Sequence, residues 1–410
     1  MSRLRARSAW LPAGIVGGLA ATMLVIAGCG GGGGSSSDNG TAQKSVGAGE
    51  GQLNLVAWPG YVADPWKSDF EKETGCQIKL KEAGTSDEMV DLMRTGQWDG
   101  VSASGNATAK LVSGGDVAPV NTDLVPNYAT IFDNLKNQPY NTFDGKPYGI
   151  PHGRGANLLM WNSNAVKPDP TSWSVILDPA QAAKYKGKIS VYDDPIYIAD
   201  AAVYLKAHQP DLGITNPYEL DDDQFNAAVN LLKQQHPFVG QYWALATPQI
   251  NSFTNGDSVV GTTWQYQYFA LLADKQPVKA PGPSTGFVPS EGATGWSDTW
   301  MIAKNAAHPN CMYKWMNFIT SPMANAEVAQ YFGEAPAQSK SCDPSTLTAA
   351  AKADDLPADP QFCNEYRAAD SNFWKRVYYW QVPLADCGDN RGNTCKDYND
   401  WSAAWTQIKG

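Results

Sequence analysis

The sequence predicts an α/β protein with two domains. Three observations lead to this prediction: the length of the chain, the β-α-β-α-β order of its first elements, and a second stretch of alternating strands and helices. Residues 52–410 are too many for one compact core, so we expect them to divide into two domains. Because helices alternate with strands in the opening part, its sheet is expected to be parallel with helices on its faces.

The first elements are marked by apolar alternation and by helix-end residues. Residues 53–57 alternate as a strand, and Asp64 is expected to cap a helix that has Pro65 at its first position and ends at Gly75. Residues 77–81 alternate again and predict a second strand.

Further elements follow in the same alternating order. Thr85 and Glu88 have the spacing of a capping box and predict a helix through Met93. Strands are predicted over 98–103, 188–192, 259–264 and 299–303, and helices over 198–207, over 224–232 after the cap at 221–223, and after Pro309.

The N-terminus is predicted to be a lipoprotein signal peptide, residues 1–28. Three arginines precede an uncharged apolar stretch over 9–28, and small residues lead into Cys29, the expected lipidation site. A transmembrane anchor is the alternative, since about 20 apolar residues can span a bilayer, but Pro12 and several glycines interrupt the stretch. Residues 29–51, rich in Gly and Ser, are expected to be a flexible tether. We therefore expect an extracytoplasmic body, in the periplasmic space or at the exterior of the cell envelope, anchored to the membrane by lipid.

Charge argues against a nucleic-acid partner. Removal of residues 1–28, which hold three arginines and no acids, changes the formal net charge from −10 to −13. Nucleic-acid binding demands a basic face, whereas an acidic body suits the capture of cations.

The cysteines predict disulfides. Six of the seven cysteines remain when Cys29 is set aside, and an even number in an exported chain indicates disulfides. Cys387 and Cys395 lie close together in a polar loop and are predicted to pair. The other four can pair in three ways, and the sequence does not choose among them: Cys76, Cys311, Cys342 and Cys363. Zinc is the rival explanation, but there is no C-x-x-C motif and the four histidines are scattered, so no metal or cofactor is expected.

Candidate binding residues stand at the predicted strand ends, where ligands bind in open α/β sheets. They combine aromatic rings, carboxylates and small polar groups: Trp58, Tyr61, Ser104, Asn106, Asp193, Asp194 and Trp264, with Trp296 and Asp298 where the chain enters a later strand. Such a set suits an alkylammonium ligand, since rings attract cations and pack on methylenes while carboxylates neutralise the charge. The alternative is that the tryptophans fill the core of a chain that has 15 of them.

Over nearly its whole mature length, the chain resembles the spermidine/putrescine-binding proteins of ABC importers (PotD-like), in particular their YdcS-type branch. Six ordered segments carry the resemblance: 58–61, 85–90, 101–105, 192–202, 294–299 and 313–317. It implies a type II periplasmic-binding-protein fold, with two α/β lobes that each have a central mixed sheet and are joined by a hinge. The expected division is 52–157 and 297–345 for lobe 1, 158–296 for lobe 2, and a C-terminal segment, 346–410, that returns to lobe 2.

The resemblance also implies ligand contacts, and the chain departs from the family at three of them. The matching contacts are Trp58, Tyr61, Ser104, Asp194, Trp264, Trp296 and Asp298. Tyr197 stands where polyamine binders carry a second acid, Asn106 replaces a tyrosine, and Arg154 lies in a His-Gly-Arg-Gly run that replaces an aromatic before a glycine. Loss of an anion and gain of a cation favour a monoamine or an amino acid such as γ-aminobutyrate, whose carboxylate would meet Arg154. Arg154 turned to solvent or paired with an acid is the other alternative.

The expected function is a monomeric solute-binding lipoprotein that delivers a putrescine- or spermidine-like amine to the permease subunits of an ABC importer, without catalysis. A sugar-directed binding protein or hydrolase is the alternative, because tryptophan faces stack on sugars and Asp194 with Asp298 resemble paired carboxylates. A G-x-S-x-G pattern at Ser284 lies in a Gly/Pro-rich loop, without the strand and helix that a nucleophile elbow requires.

Overall fold

A computed structural model describes residues 43–282 and 288–410. The predicted signal peptide, the lipidation site Cys29, most of the tether and Ser284 fall outside these ranges. Within them, no helix has the length and apolar character needed to cross a bilayer.

Fourteen strands are present in the described residues. The first seven are β1 (Gln52–Ala57), β2 (Gln77–Glu82), β3 (Gly100–Ser104), β4 (Val117–Ala118), β5 (Thr142–Phe143), β6 (Lys146–Pro147) and β7 (Ile150–Asn162). The others are β8 (Ile189–Tyr192), β9 (Val239–Trp243), β10 (Val260–Trp264), β11 (Val278–Lys279), β12 (Ala293–Ala303), β13 (Ala335–Pro336) and β14 (Val377–Tyr379).

Helices alternate with these strands. The first seven are α1 (Trp66–Thr74), α2 (Ser86–Arg94), α3 (Gly105–Gly114), α4 (Ser174–Leu177), α5 (Pro179–Ala182), α6 (Ile198–His208) and α7 (Asp222–Gln235). They are followed by α8 (Ala246–Asn255), α9 (Gln265–Ala273), α10 (Pro309–Ile319), α11 (Pro322–Phe332), α12 (Pro344–Ala353), α13 (Phe362–Glu365), α14 (Ser371–Trp374) and α15 (Tyr398–Lys409).

One curled sheet runs through the molecule in the order β2-β1-β3-β12-β7-β10-β8-β9. At one end β1 is parallel to β2 and β3, as predicted, and at the other β8 is parallel to β9 and β10. The long strands β7 and β12 are antiparallel to each other and join the two halves. Since β7 pairs with β12 through its first half and with β10 through its second, these crossing strands are shared by both halves.

Separate apolar cores define two lobes, which confirms the predicted fold class. We call the first lobe the part built on β1–β4 with α1–α3 and α10, whose core includes Leu55, Phe70 and Trp315. The second lobe is built on β8–β11 with α4–α9 and the C-terminal helices, and its core includes Val191 and Trp401. Helix α15 packs on the second lobe through its tryptophans.

Two predicted helix caps differ in the structure. Asp64 does not cap α1: its carboxylate accepts a hydrogen bond from the Ser68 hydroxyl, and the cap position falls on the next residue, a proline with no side-chain acceptor. At α2, Thr85 accepts from the backbone N–H of Glu88 as predicted. The Glu88 carboxylate, however, accepts from the N–H of Gly84 rather than from that of Thr85, so only half of the capping box forms.

Strand β12 begins at Ala293, six residues before the predicted start. Trp296 and Asp298 therefore lie inside the strand rather than at its entrance. The extension is possible because residues 295–298 pair with β7, and Gly295 lets neighbouring backbone approach so closely that a Cβ there would lie 2.6 Å from the Gly155 oxygen.

Three disulfides are formed by the described residues. They join Cys76 to Cys311, Cys342 to Cys363, and Cys387 to Cys395. The third is the pair expected from the sequence, and the other two select one of the three pairings that the sequence left open.

Candidate functional site

The candidate site lies between the lobes, where the crossing strands carry a buried carboxylate. Asp298, on β12, faces Ser104 at the end of β3. Its carboxylate accepts hydrogen bonds from the Ser104 hydroxyl and, at 2.6 Å, from the hydroxyl of Tyr61. All three side chains are buried, so residues predicted from three different elements meet at one point.

A second buried carboxylate, Glu334, lies beside the same hydroxyl. The Tyr61 hydroxyl is 2.9 Å from Glu334 Oε2. The other carboxylate oxygen of Glu334, Oε1, lies 3.4 Å from Nδ1 of His152. The second ring nitrogen of His152, Nε2, lies 2.8 Å from the hydroxyl of Ser102. We call Tyr61, Asp298, Glu334 and His152 the carboxylate cluster. Sequence reasoning did not single out Glu334, because it follows a helix-ending glycine rather than a predicted strand.

Two glycines of β7 make room for this arrangement. A Cβ on Gly153 would lie 1.9–2.1 Å from the Glu334 carboxyl group, and one on Gly155 would lie 2.4–2.8 Å from the Trp296 indole. Gly153 thus faces Glu334 and Gly155 faces Trp296, whereas Arg154 between them points to the other face of the strand. The pairing of β7 with β12 is irregular at His152, so this alternation does not extend to it.

Burial sets the electrostatics of the cluster. It raises the pKa of Asp298 to about 6, although the hydrogen bonds from Ser104 and Tyr61 act in the opposite direction. Burial, and then the charges of Asp298 and Glu334, raise the pKa of Tyr61 well above its usual value. A buried anion is costly without a positive partner, so the cluster is suited to accept a cation.

The second lobe faces the cluster with an aromatic wall, formed by Tyr192, Trp243, Trp264 and Trp380. The ring of Tyr192 lies 5.1 Å from Trp243, 5.5 Å from Trp264 and 5.4 Å from Trp380, the last nearly parallel at 15°. Trp264 was predicted. Tyr192 ends a predicted strand, so the strand-end rule could have identified it, whereas Trp380 lies in a Tyr-Tyr-Trp run with no such signal.

Asp194 follows β8, two residues after Tyr192 of the aromatic wall. Its carboxylate accepts a hydrogen bond from the N–H of Ile196 at 2.9 Å. Burial raises the pKa of Asp194 to about 6, and the nearby Asp87 carboxylate acts in the same direction. The pKa of Tyr192 is raised well above its usual value by burial and by surrounding acids that include both Asp194 and Asp298.

Three residues connect the lobes at the rim, and we call them the latch. Lys110 of α3 donates to the Asp87 carboxylate of α2 at 2.6 Å, and both belong to the first lobe. Tyr398 of α15, on the second lobe, donates its hydroxyl to Asp87 at 3.0 Å, and its ring centroid lies 3.3 Å from Lys110 Nζ. The structure therefore shows the lobes in contact across the site.

The remaining candidates, Trp58, Trp296 and Asn106, contact residues outside the cluster. Trp58 is half-buried against the first-lobe cores, and the Trp296 ring centroid is 6.1 Å from that of Phe332. Asn106, in the first turn of α3, accepts a hydrogen bond from the Ser86 hydroxyl.

The structure does not bring Arg154, Tyr197 or Asp193 to the cluster. Arg154 is buried and donates to the hydroxyl of Tyr379 at 3.0 Å and to the backbone oxygen of Ala368 at 2.7 Å. It thus neither points to solvent nor faces the aromatic wall.

Tyr197 and Asp193 are held within the second lobe. The Tyr197 hydroxyl bonds to Gln235, because the turn capped by Asp194 directs this side chain into the core. Asp193 pairs with Lys409 of α15 at 2.6 Å.

Comparison with known proteins agrees with this architecture. The family model of bacterial extracellular solute-binding proteins matches residues 66–358. The putrescine/cadaverine-binding protein of Pseudomonas aeruginosa is 23% identical over 289 residues, which cover 69% of this chain and 78% of the relative. The spermidine/putrescine-binding periplasmic protein of Escherichia coli is 25% identical over 285 residues, covering 68% and 76%. Among solved structures, the PotD lipoprotein of Treponema pallidum superimposes with a TM-score of 0.65 at 17% identity, covering 87% of this chain and 99% of the other.

Proposed function

The chain belongs to the bacterial extracellular solute-binding proteins, and on that premise we propose that it captures a small cationic amine between its lobes for an ABC importer. The amine enters with an ammonium group at the carboxylate cluster and its methylenes along the aromatic wall. Release to the permease subunits then requires the lobes to part.

One observation carries this proposal: among the described residues, the buried carboxylates of the site pair with no lysine or arginine. Among the ion pairs of the described residues, neither Asp298 nor Glu334 pairs with a lysine or arginine. Asp298 is 2% exposed and Glu334 is fully buried, and such groups are strongly destabilised unless a cation or a proton compensates them. A bound ammonium supplies that charge.

The spacing of the acids favours an amine with two charged ends. Asp194 and Asp298 both raise the pKa of Tyr192, and the ring of this tyrosine can pack on a methylene chain and attract ammonium groups through its face. An amino acid such as γ-aminobutyrate is less favoured, because Arg154, the residue that suggested it, points to the other face of β7 and is already hydrogen-bonded.

We further propose that the chain acts outside the cytoplasm, tethered by lipid on Cys29. The signal-like N-terminus and the Gly/Ser-rich segment after it support this proposal. A tether of this composition lets the two lobes move while they stay near the membrane.

Calorimetric titration of the full-length protein tests the proposed function. Putrescine, spermidine, γ-aminobutyrate and glucose serve as ligands, and we expect putrescine or spermidine to bind most tightly. Asp298→Asn should weaken amine binding about tenfold to a hundredfold, the equivalent of a hydrogen bond to a charged group worth about 1.5–3 kcal/mol.

The matched control is Asp200→Asn, which changes another buried aspartate, bonded to Thr294 in the second lobe. Its amine affinity should equal that of the wild type. Binding of glucose with no response to any amine, or turnover of a glycoside, would instead support the sugar-directed alternatives.

A further inference from the structure

In the carboxylate cluster, two carboxylates share the hydroxyl of Tyr61. The Tyr61 hydroxyl lies 2.6 Å from Asp298 Oδ2 and 2.9 Å from Glu334 Oε2. A tyrosine hydroxyl has one hydrogen and can donate to only one of the two carboxylates at a time. The other carboxylate therefore needs a hydrogen from elsewhere.

Glu334 is the carboxylate that can accept a further hydrogen bond. Its Oε1 is buried and has no hydrogen-bond partner among the described residues, and the same holds for Nδ1 of His152, 3.4 Å away. Asp298, by contrast, also accepts from Ser104. A buried acceptor without a partner is destabilising, so the hydrogen bonding of Glu334 is complete only when a donor arrives.

We infer that Glu334 is a ligand-binding residue, which together with Asp298 holds one primary ammonium group of the ligand. This inference rests on the proposed function and specifies its ligand class. A primary ammonium has three N–H donors, enough to reach both carboxylates at once and to supply the hydrogen that Tyr61 cannot provide.

The number of N–H donors also determines which amines the site should prefer. A quaternary ammonium carries the charge and suits an aromatic cage, but it has no N–H to offer either carboxylate. A site that depends on hydrogen bonds rejects an analogue without the donor far more strongly than a site that depends on ring stacking. The site should therefore prefer putrescine to its fully N-methylated analogue.

Gly153 determines where the Glu334 carboxyl group can lie. Glu334 fills the space that a side chain on Gly153 would occupy, so even a methyl group there must displace the carboxylate. Gly153→Ala thus tests the position of Glu334 without changing its charge.

The experiment compares putrescine and N-methylated putrescine by calorimetry on the full-length wild type, Glu334→Gln, Gly153→Ala and a control. The control is Glu327→Gln, which changes another buried glutamate on α11, away from the cluster. We expect Glu334→Gln to weaken putrescine binding about tenfold to a hundredfold and to narrow the preference over the methylated analogue. Gly153→Ala should act in the same direction, and Glu327→Gln should bind as the wild type does.

Wild-type affinity in Glu334→Gln, together with a loss in Asp298→Asn, would overturn the inference and leave the proposed function intact. If the wild type binds none of the amines, the proposed function itself fails. If Glu334→Gln does not fold, Gly153→Ala decides: unchanged putrescine affinity in that variant would overturn the inference.

Discussion

Closure of the two lobes depends in part on the latch, and Tyr398→Phe tests this dependence. The variant removes the hydroxyl that donates to Asp87 but keeps the ring below Lys110. A hydrogen bond to a charged group is worth about 1.5–3 kcal/mol. Because the Asp87 side chain is 58% exposed, we discount this to about 1 kcal/mol. That amount corresponds to a roughly fivefold decrease in the ratio of closed to open protein, and hence to a loss of ligand affinity of up to about fivefold.

The assay measures amine affinity by calorimetry and the distance between the lobes with paired spin labels. In Tyr398→Phe the affinity should fall by up to about fivefold and the open distance should become more populated. Lys136→Met is the matched control, since Lys136 pairs with Asp133 and lies near the Tyr128 ring entirely within the first lobe. If the affinity and the distance distribution in Tyr398→Phe equal those of the wild type, the latch does not contribute to closure.

Four further predictions concern pH, the loop disulfide and the anchor. Burial raises the pKa of Asp194 and of Asp298 to about 6, so both carboxylates lose their charge as the pH falls below this value. Amine affinity should therefore fall between pH 7 and pH 5, by up to about tenfold per pH unit for each charge lost. A constant affinity measured by calorimetry would contradict this prediction. The same raised pKa values mean that the native state binds more protons than the unfolded chain between about pH 4 and 6. In the absence of ligand, the free energy of unfolding should therefore decrease as the pH rises through that range. Thermal melts at several pH values would measure this decrease. Peptide mapping without reductant should recover Cys387 linked to Cys395, and free thiols at both positions would refute the pairing. Cys29→Ala should release the full chain from the membrane fraction, and retention after a high-salt wash would count against the lipid anchor.

Local signals in the sequence were sufficient for the alternating elements and for part of the site. Strand ends are local features, so Tyr61 and Ser104 could be placed at the same edge before the structure was available. Glu334 and Trp380 could not, because they approach the site only through the packing of α11 and of the C-terminal segment. The latch escaped prediction for the same reason: Tyr398 and Asp87 are 311 residues apart.

The resemblance to polyamine binders suggested Tyr197 as a ligand contact, and the structure places it elsewhere. The position three residues after Asp194 carries an acid in polyamine binders, and the sequence therefore suggested a role for the residue there. In this chain Asp194 caps a short turn, Pro195–Tyr197, that leads into α6, and the Tyr197 side chain enters the second-lobe core, where it meets Gln235. The acid missing from the turn has a counterpart elsewhere, since Glu334 adds a carboxylate beside Asp298. Loss of a negative charge at one position therefore does not by itself disfavour a ligand with two positive charges.

The run Gly153–Gly155 shows how alternation along a strand determines which residues of a short motif face the binding site. The sequence drew attention to Arg154 because a cation is unexpected in an amine site. The structure turns Arg154 away and leaves Gly153 facing the Glu334 carboxyl group and Gly155 facing the Trp296 indole. The residues without side chains thus shape the site, because each creates the space that a carboxylate or a ring occupies. A substitution at either glycine should consequently affect ligand binding more than the conservative change Arg154→Lys, whose side chain would remain on the opposite face of β7.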